Sequence, residues 1–427
     1  MPSLAEFYIY NGLRSEGIAL IDDLLQELPA EEEGKRPFFL IEKAYLMNEI
    51  ESLTKVELLI DQILHLTTDL TRYQAVRARA YYYLSKSLFV KSIDSNASLN
   101  YAQQAMTLAK QLDDIELVAQ LFNQLGSLHY RFEQTEKALQ EINKALSIYE
   151  SIGNVKGIAQ AYDKLGKAYS ESGDLIKVIE TDLKLFDIYQ KMGSESEIAN
   201  QTLNMGIMYS NLGMYLKAEP LIKAALKFFY KINDEIGVQI SFIVLGENFY
   251  YLGEDEISLD YFRQGVELQE KLQLQSRLCN DLTGFSLPLR RSGYLDEAQQ
   301  ILEKAIKVSV APRYKLQAEA HLACVFLDQG KNKQAFALAK GVWEKIEIDK
   351  GKSLPDVLRT VSHLYEVFAA LDHPQLTQPI LELAFNEIQH LIYDLKDSEI
   401  LDDFLTFEPN LQFFLPEFTK QGYKITR

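Results

Sequence analysis

Apolar residues recur at three- and four-residue steps along most of the chain. The steps through Leu175, Val178 and Leu183 are one clear example. This spacing keeps one face of a helix apolar, whereas a strand would show strict alternation, and no alternating runs stand out. The pattern therefore predicts an all-α protein, with helices over 155–172 and 175–192.

The helical pattern repeats with a period of 40 residues. An apolar residue followed by glycine recurs at Leu125-Gly126, Leu165-Gly166, Met205-Gly206 and Leu245-Gly246. A second series of glycines stands at Gly173, Gly213, Gly253, Gly293 and, after a step of 37, Gly330. A third series of small residues follows the same period, at Ala138, Val178, Ala218, Ser258, Ala298 and then Ala335, and a fourth series runs Ala145, Leu185, Ala225, Gly265, Ala305. Each unit is predicted to be two helices joined by a tight turn.

The small residues indicate how the helices pack. They leave room for helix axes to approach within about 8–10 Å. One helix pair cannot bury both of its faces, so successive pairs are expected to stack.

The repeated motif resembles the tetratricopeptide repeat. The best matches are Leu165-Gly166-Lys167-Ala168-Tyr169 and Met205-Gly206-Ile207-Met208-Tyr209, each followed by a turn glycine and small residues seven apart. The unit is longer than the usual repeat of about 34 residues and is similar to the long repeats of bacterial regulators and adaptor proteins. The resemblance covers 114–342 and implies a right-handed α-solenoid of stacked antiparallel helix pairs.

The flanks extend this architecture. Helices are predicted over 38–51 and 55–67, and another pair over 353–371 and 375–395. We expect an N-terminal helical segment at 1–70, the repeat array at 71–396 and a C-terminal aromatic capping tail at 397–427. The tail resembles the terminal segment of some bacterial signalling proteins whose sensor is a helical repeat. Pro220 and Pro288 lie inside predicted helices, where proline bends the helix.

The composition of the chain limits which partners it can bind and in which compartment it is expected. The formal charge is -17, from 44 basic and 61 acidic residues, which disfavours binding to nucleic acid. Two cysteines cannot form a disulfide framework, and no apolar run approaches the roughly 18 residues of a membrane span. The first residues lack a basic and apolar leader, so we expect a cytoplasmic protein that does not bind membranes.

Catalytic and metal chemistry have little support in the sequence. The six histidines lack metal-ligand spacing. Gly351-Lys352-Ser353 resembles the end of a phosphate-binding loop, but Ile346 stands where the motif needs glycine. We therefore predict no catalytic residues, no metal site and no cofactor.

The predicted site is a stripe on the first helix of each pair, at positions i, i+4, i+7 and i+11. In tetratricopeptide proteins these helices line the concave face, where family members bind peptides. Amides suit the backbone of an extended chain, and the cations could hold a carboxylate. Asn204 stands where peptide-binding members often carry a peptide-clamping asparagine. Later rows are more apolar and could take a hydrophobic anchor; the plain alternative is a solvated face. The predicted partner-binding residues are Gln120, Gln124, Arg131, Gln160, Lys164, Lys167, Asn200, Asn204, Tyr251 and Arg291.

The sequence thus indicates a scaffold or sensor module that binds a protein or peptide in a groove. One alternative is a peptide-regulated bacterial signalling regulator that acts on a response regulator, in the manner of helical-repeat phosphatases. Another is the sensor region of a larger signalling protein. Self-association into a homo-oligomer through an uncapped end of the array is a further option.

Overall fold

The computed structural model describes residues 4–10, 13–68, 71–91, 94–132, 134–172, 174–275, 277–309, 312–349, 357–396, 398 and 400–426. These ranges contain α-helices, two short 3-10 helices at Ala30–Lys35 and Thr71–Tyr73, and no strand. The all-α prediction is confirmed.

In chain order the helices are α1 (Leu4–Tyr10), α2 (Arg14–Gln26), α3 (Arg36–Ile50), α4 (Leu53–Leu66), α5 (Gln74–Val90), α6 (Ser95–Gln111), α7 (Ile115–Arg131), α8 (Thr135–Ser151), α9 (Val155–Ser172), α10 (Leu175–Met192), α11 (Glu195–Asn211), α12 (Tyr215–Ile232), α13 (Glu235–Tyr251), α14 (Asp255–Lys271), α15 (Leu278–Arg291), α16 (Leu295–Val308), α17 (Pro312–Asp328), α18 (Asn332–Asp349), α19 (Val357–Ala370), α20 (Pro374–Leu395), α21 (Leu401–Phe407) and α22 (Pro409–Gln421).

The predicted helices match closely where they can be compared. α9 and α10 have the predicted bounds, and the predicted helix at 375–395 begins one residue earlier, at Pro374. Pro220 and Pro288 lie inside α12 and α15, as expected. The predicted turn residue Gly173, the segment 351–353 and the predicted start of the last pair lie outside the described residues.

The chain divides into two compact units, residues 1–185 (unit 1) and 186–427 (unit 2). Within each unit, helices that follow one another in sequence pack together as pairs. The first helices of successive pairs also contact each other and form one layer, which we call the inner helices. The inner helices are α3, α5, α7 and α9 in unit 1, and α11, α13, α15, α17 and α19 in unit 2. The stacked helix pairs confirm the predicted α-solenoid architecture.

The repeated glycine lets the two helices of a pair approach closely. A Cβ added to Gly126 on α7 would lie 2.4 Å from Ile142 Cγ1 on α8, and one on Gly246 would lie 2.7 Å from Phe262 Cδ2. Such distances are too short for carbon atoms, so only glycine fits beside these large side chains. Ala138 is fully buried in the same interface.

The C-terminal helices cover the last helix pair of unit 2. α22 packs on α19 and α20. The ring centroids of Phe385 and Phe418 lie 5.4 Å apart, and those of Tyr365 and Phe414 lie 5.7 Å apart. Phe414 and Phe418 are buried, while Phe407 on α21 remains 52% exposed.

Among the described residues, none of the helices combines the length and apolar character that crossing a bilayer requires. The same residues contain no cluster of histidine, cysteine, aspartate or glutamate that could hold a metal ion.

Candidate functional site

The inner helices of unit 1 enclose a large open cavity. Its volume is about 910 Å³, and α3, α5, α7 and α9 supply most of its walls, with Tyr149 contributed by α8. A cavity of this size on the inner layer can accept several residues of an extended chain. Four of the predicted binding residues line it, namely Gln120, Gln124, Gln160 and Lys164.

The cavity carries more positive than negative charge, although the chain as a whole is acidic. Its charged lining residues are Arg79, Lys86, Lys156, Lys164, Glu42 and Glu116. Both carboxylates accept hydrogen bonds from the chain itself: Glu42 from the Ala5 backbone amide at 3.0 Å and Glu116 from Asn154 Nδ2 at 3.1 Å. Arg79 pairs with Asp114 at 2.9 Å, and the positive charge of Lys86, Lys156 and Lys164 favours an anionic group in the cavity.

Gln124, like its neighbour Asn123, is a buried lining residue with an unpartnered polar atom. It is only 5% exposed, and its Nε2 donor has no hydrogen-bond partner among the described residues. A buried donor without a partner costs about 1–3 kcal/mol. Nε2 is itself inaccessible, so an acceptor on a bound ligand would satisfy it only after the amide turned toward the cavity. Gln160 is exposed and Gln120 is half-buried on the neighbouring inner helices.

Lys164 joins two inner helices. Its Nζ donates to the Asn123 carbonyl at 3.0 Å and to Ser127 Oγ at 2.6 Å, both on α7. Burial of the amine, together with the positive charge of Lys86, lowers the pKa of Lys164 to about 8. Asp163 opposes this shift. The amine is therefore charged at neutral pH but poised to lose its proton under mildly alkaline conditions.

The remaining predicted cations of unit 1 already have partners within the chain. Lys167 is exposed and pairs with Asp163 at 2.7 Å on its own helix. Arg131 donates to the Phe89 carbonyl at 2.7 Å, and its guanidinium lies 3.8 Å from the centroid of the Phe89 ring. Arg131 and Lys164 therefore also contribute to packing, because both side chains bridge successive inner helices.

The other four predicted residues belong to unit 2. Asn200 and Asn204 are exposed on α11. Tyr251 is half-buried and stacks on Tyr215, with 4.8 Å between the ring centroids. Arg291 pairs with Asp255 and lies over the Tyr250 ring.

The inner layer of unit 2 is closed where the sequence predicted an apolar groove. Val244 and Leu287, which continue the predicted stripe, are each 4% exposed. Arg359 on α19 donates to Glu247 on α13, so these two inner helices touch through their side chains. Val244 and Leu287 therefore offer no open apolar surface, whereas Tyr251 lines a cavity of about 420 Å³ together with Tyr215 and Phe407.

Sequence reasoning missed several cavity residues, although a signal was available. Arg79 and Lys86 lie 41 residues before Gln120 and Ser127. Carrying the predicted stripe back by one inner helix, with a step of 41 rather than 40, finds both cations. Lys156, at the first turn of α9, lies off that stripe and gave no such signal.

The comparison that decides the family concerns α7 to α10. Residues 117–191 match the family model of the tetratricopeptide repeat. The chain therefore contains tetratricopeptide repeats. A search among curated protein sequences gives no match.

Solved structures share the tetratricopeptide architecture at low sequence identity. A Rap protein complexed with competence and sporulation factor superposes with a TM-score of 0.60 and 14% identity, covering 86% of this chain and 100% of that one. The apo quorum sensor NprR from B. thuringiensis gives 0.59 and 14%, covering 84% and 99%. These similarities show a common fold.

A third structure is a signal transduction ATPase with numerous domains that carries a tetratricopeptide repeat sensor, from Pyrococcus horikoshii. Its TM-score is 0.55 and its identity is 17%, over 78% of this chain and 52% of that protein. This chain therefore spans about half the length of that ATPase.

Proposed function

We propose that this tetratricopeptide protein is a peptide-binding scaffold or sensor module, and that the cavity of unit 1 holds the peptide. The observation that carries the proposal is Gln124, a buried amide that lines an open, cation-rich cavity and whose Nε2 donor lacks a partner. Because Nε2 is itself buried, we propose that the amide turns toward the cavity when a peptide carbonyl binds.

The amides of the cavity suit a peptide backbone. Gln120, Gln124 and Gln160 come from neighbouring inner helices, and each side chain can both donate and accept. Each hydrogen bond adds about 0.5–1.5 kcal/mol net, so recognition rests on several of them together. An extended chain presents donors and acceptors at regular intervals, whereas a compact small molecule would use fewer.

The charges of the cavity suit an acidic group on that peptide. Lys156 is exposed and lines the cavity, and Lys164 supplies a second ammonium group. The chain as a whole has a formal charge of -17, so an acidic peptide is repelled by most of its surface and attracted to this local excess of cations. The shared chemistry is a carboxylate, from a side chain or from the end of a peptide.

The structural neighbours support a protein or peptide partner. One was crystallised with competence and sporulation factor, one is described as a quorum sensor, and one carries its repeats as a sensor. At 14–17% identity these likenesses concern the fold, so the partner of this chain is inferred from its own cavity.

Photocrosslinking tests the proposed location. Peptides would be selected from a phage-displayed random library against the whole chain. A photoreactive p-benzoylphenylalanine would then replace Gln160 in the cavity or, as a control, exposed Lys137 on α8. We expect crosslinking of the selected peptide from position 160 and little from position 137. Equal crosslinking at both positions, or none at position 160, would contradict the proposed site.

The narrower role of a response-regulator partner remains a second candidate. The superposition with the Rap protein covers the whole of that chain, including its N-terminal part. This coverage is the observation that favours the second candidate. Incubating this chain with an aspartyl-phosphorylated receiver domain, and following phosphate release, would separate the two. Release at the spontaneous rate would reject the phosphatase-like role and leave the peptide-binding proposal intact.

A further inference from the structure

The C-terminal helices of unit 2 contact a repeat that is far away in sequence. Gly213, in the turn between α11 and α12, lies so close to the tail that a Cβ there would be 2.8 Å from Glu408 Cα. Lys217 at the start of α12 forms an ion pair with Asp403 on α21. The two residues of this ion pair are 186 positions apart in the sequence. One end of the tail is therefore fixed at the first helix pair of unit 2.

The other end of the tail is fixed at the last helix pair. α22 packs on α19 and α20, where Phe414 and Phe418 are buried. Glu408 joins the two tail helices: it caps the start of α22 by accepting a hydrogen bond from the Leu411 amide, and it lies against Gly213. α21 and α22 thus connect the first and last helix pairs of this unit.

Between these ends, ion pairs hold the inner helices together. Arg359 on α19 pairs with Glu247 on α13 at 2.7 Å. Arg290 on α15 pairs with Glu366 on α19 and with Asp328 on α17. Cys324, on α17, is fully buried beneath these contacts and donates to the His363 carbonyl at 3.3 Å.

The contact of α21 is the less tightly packed of the two. A cavity of about 420 Å³ remains between α21 and the start of α12, and its walls include Tyr215, Tyr251 and Phe407. Incomplete packing lowers the free energy needed for local opening. α21 is therefore the end at which the tail can detach first, while α22 stays bound.

We propose that α21 and α22 form a latch that keeps the inner face of unit 2 closed, and that release of α21 from the Gly213 turn opens this face. The latch accounts for the burial of Val244 and Leu287 on α13 and α15, whereas Asn200 and Asn204 on α11 stay exposed. It acts in unit 2 alone and does not depend on peptide binding in unit 1.

Turn glycines provide a matched test of the latch. Gly213 and Gly253 occupy equivalent turns with φ of 76° and 85°, but nothing lies within 4 Å of a Cβ added at Gly253. Alanine is strained at both positions, and only Gly213→Ala also collides with the tail. We expect amide exchange in α21, residues 401–407, to rise roughly tenfold in Gly213→Ala, with little change in Gly253→Ala. Equal exchange in the two variants would overturn the proposed contact.

The thiol of Cys324 reports whether the inner face opens. In a Cys279→Ala background, maleimide labelling of Cys324 should become several times faster in Gly213→Ala than in Gly253→Ala, because opening exposes the buried sulfur. If amide exchange shows that the tail is released but Cys324 is not labelled faster, the tail does not keep the inner face closed. That result would overturn the proposal.

Charge reversal gives a second variant that does not alter the turn. Lys217→Glu and Asp403→Lys should each raise amide exchange in 401–407, and the double variant should restore the slow exchange because the pair is re-formed with opposite signs. If the double variant exchanges as fast as the single variants, or all three exchange like the parent chain, the ion pair has no part in a latch.

Discussion

Arg359 Nη1 donates to Glu247 Oε1 at 2.7 Å, although 112 positions separate the two residues. This contact joins α19 to α13 across the inner layer of unit 2. Unit 1 has an open cavity on the equivalent layer. The same repeat therefore produces a closed inner face in one unit and an open one in the other, and the open face is the one proposed to bind a partner.

The Arg359–Glu247 pair is expected to stabilise unit 2 more than a surface pair would. The two side chains are 19% and 23% exposed, so the pair is only partly solvated. A double-mutant cycle with Arg359→Ala and Glu247→Ala, measured by urea unfolding, should give a coupling energy of about 1–2 kcal/mol. The control is the exposed Lys191–Asp187 pair, whose coupling should be below about 0.5 kcal/mol. Equal couplings for the two pairs would be inconsistent with closure through this contact.

Arg131 and Arg291 are predicted to require the guanidinium group. They stand 160 residues apart at equivalent positions, and each lies over an aromatic ring, 3.8 Å and 3.9 Å from its centroid, while donating to a backbone carbonyl of the preceding inner helix. Lysine cannot reproduce this planar stacking. Arg131→Lys and Arg291→Lys should each lower stability by roughly 1 kcal/mol in thermal melts.

A matched substitution checks that interpretation. Arg263 is exposed and pairs loosely with Glu297 at 3.9 Å. Arg263→Lys should leave the melting temperature unchanged. If Arg131→Lys and Arg291→Lys melt like Arg263→Lys, stacking and carbonyl capping do not contribute to stability.

The sequence predicted the helices that carry these arginines but not the residues that the arginines contact. The 40-residue period predicted the helices, their pairing and the helix bounds of α9 and α10, because helix packing is set by local apolar spacing. It also placed Gln124 and Lys164 on the inner face. The period could not show that Arg131 reaches Phe89 on the preceding inner helix, because the stripe gives a direction and not the partner found there.

The sequence could not predict that the inner face of unit 2 is closed, for a related reason. Contact between Arg359 and Glu247 depends on how sharply successive helix pairs turn relative to one another, which is the sum of small rotations at each interface. A periodic sequence does not specify that sum. The proposed boundaries at residues 70 and 396 stay predictions, to be tested with truncated chains.

Acid is predicted to destabilise unit 2 through a pair of buried histidines. The His321 and His363 rings stack with centroids 4.0 Å apart. Burial, together with the positive charges of Arg290 and Arg359, lowers the pKa of both rings, that of His363 to about 4, while Glu366 opposes the shift at His363. Both rings are neutral in the folded chain, and in the unfolded chain they take up protons below the ordinary histidine pKa of about 6.5.

The sign of the pH effect follows from these values. Because the unfolded chain binds more protons, stability is fully present above about pH 6.5 and falls as the pH drops from there towards 4. Urea unfolding at neutral pH and near pH 5 should show this loss, and His363→Gln should reduce it. His65→Gln, at an exposed position on α4, is the control. A loss of stability that is unchanged in His363→Gln would assign the acid effect to other groups.

Peptide binding in unit 1 should weaken at alkaline pH through Lys164. Its pKa of about 8 means that the ammonium charge is lost as the pH rises through that value. The affinity of an acidic peptide should therefore fall between pH 7 and pH 9, and Lys164→Arg, which stays charged, should remove most of this dependence. An affinity that does not change over this range would show that the Lys164 charge makes no contribution to binding.

Lys164 also contributes to the fold, so its removal has a cost. Lys164→Met removes the donor to Ser127 Oγ and one of two side-chain donors to the Asn123 carbonyl, which still accepts from the Ser127 hydroxyl. We expect a loss of roughly 1 kcal/mol in unfolding experiments. A variant that melts like the parent chain would indicate that the bridge between α7 and α9 does not stabilise unit 1.

The most direct test of the central claim is calorimetric titration of a library-selected peptide into the whole chain and into two variants. One variant combines Gln124→Leu, which removes the unpartnered donor, with Lys156→Glu, which reverses a cavity charge. The other is Lys137→Glu, which reverses a charge on α8 outside the cavity. The account predicts at least a roughly tenfold weaker affinity for the cavity variant, an unchanged affinity for the control and little change in either melting temperature. Equal affinities for the parent chain and the cavity variant would contradict the assignment of the binding site to unit 1.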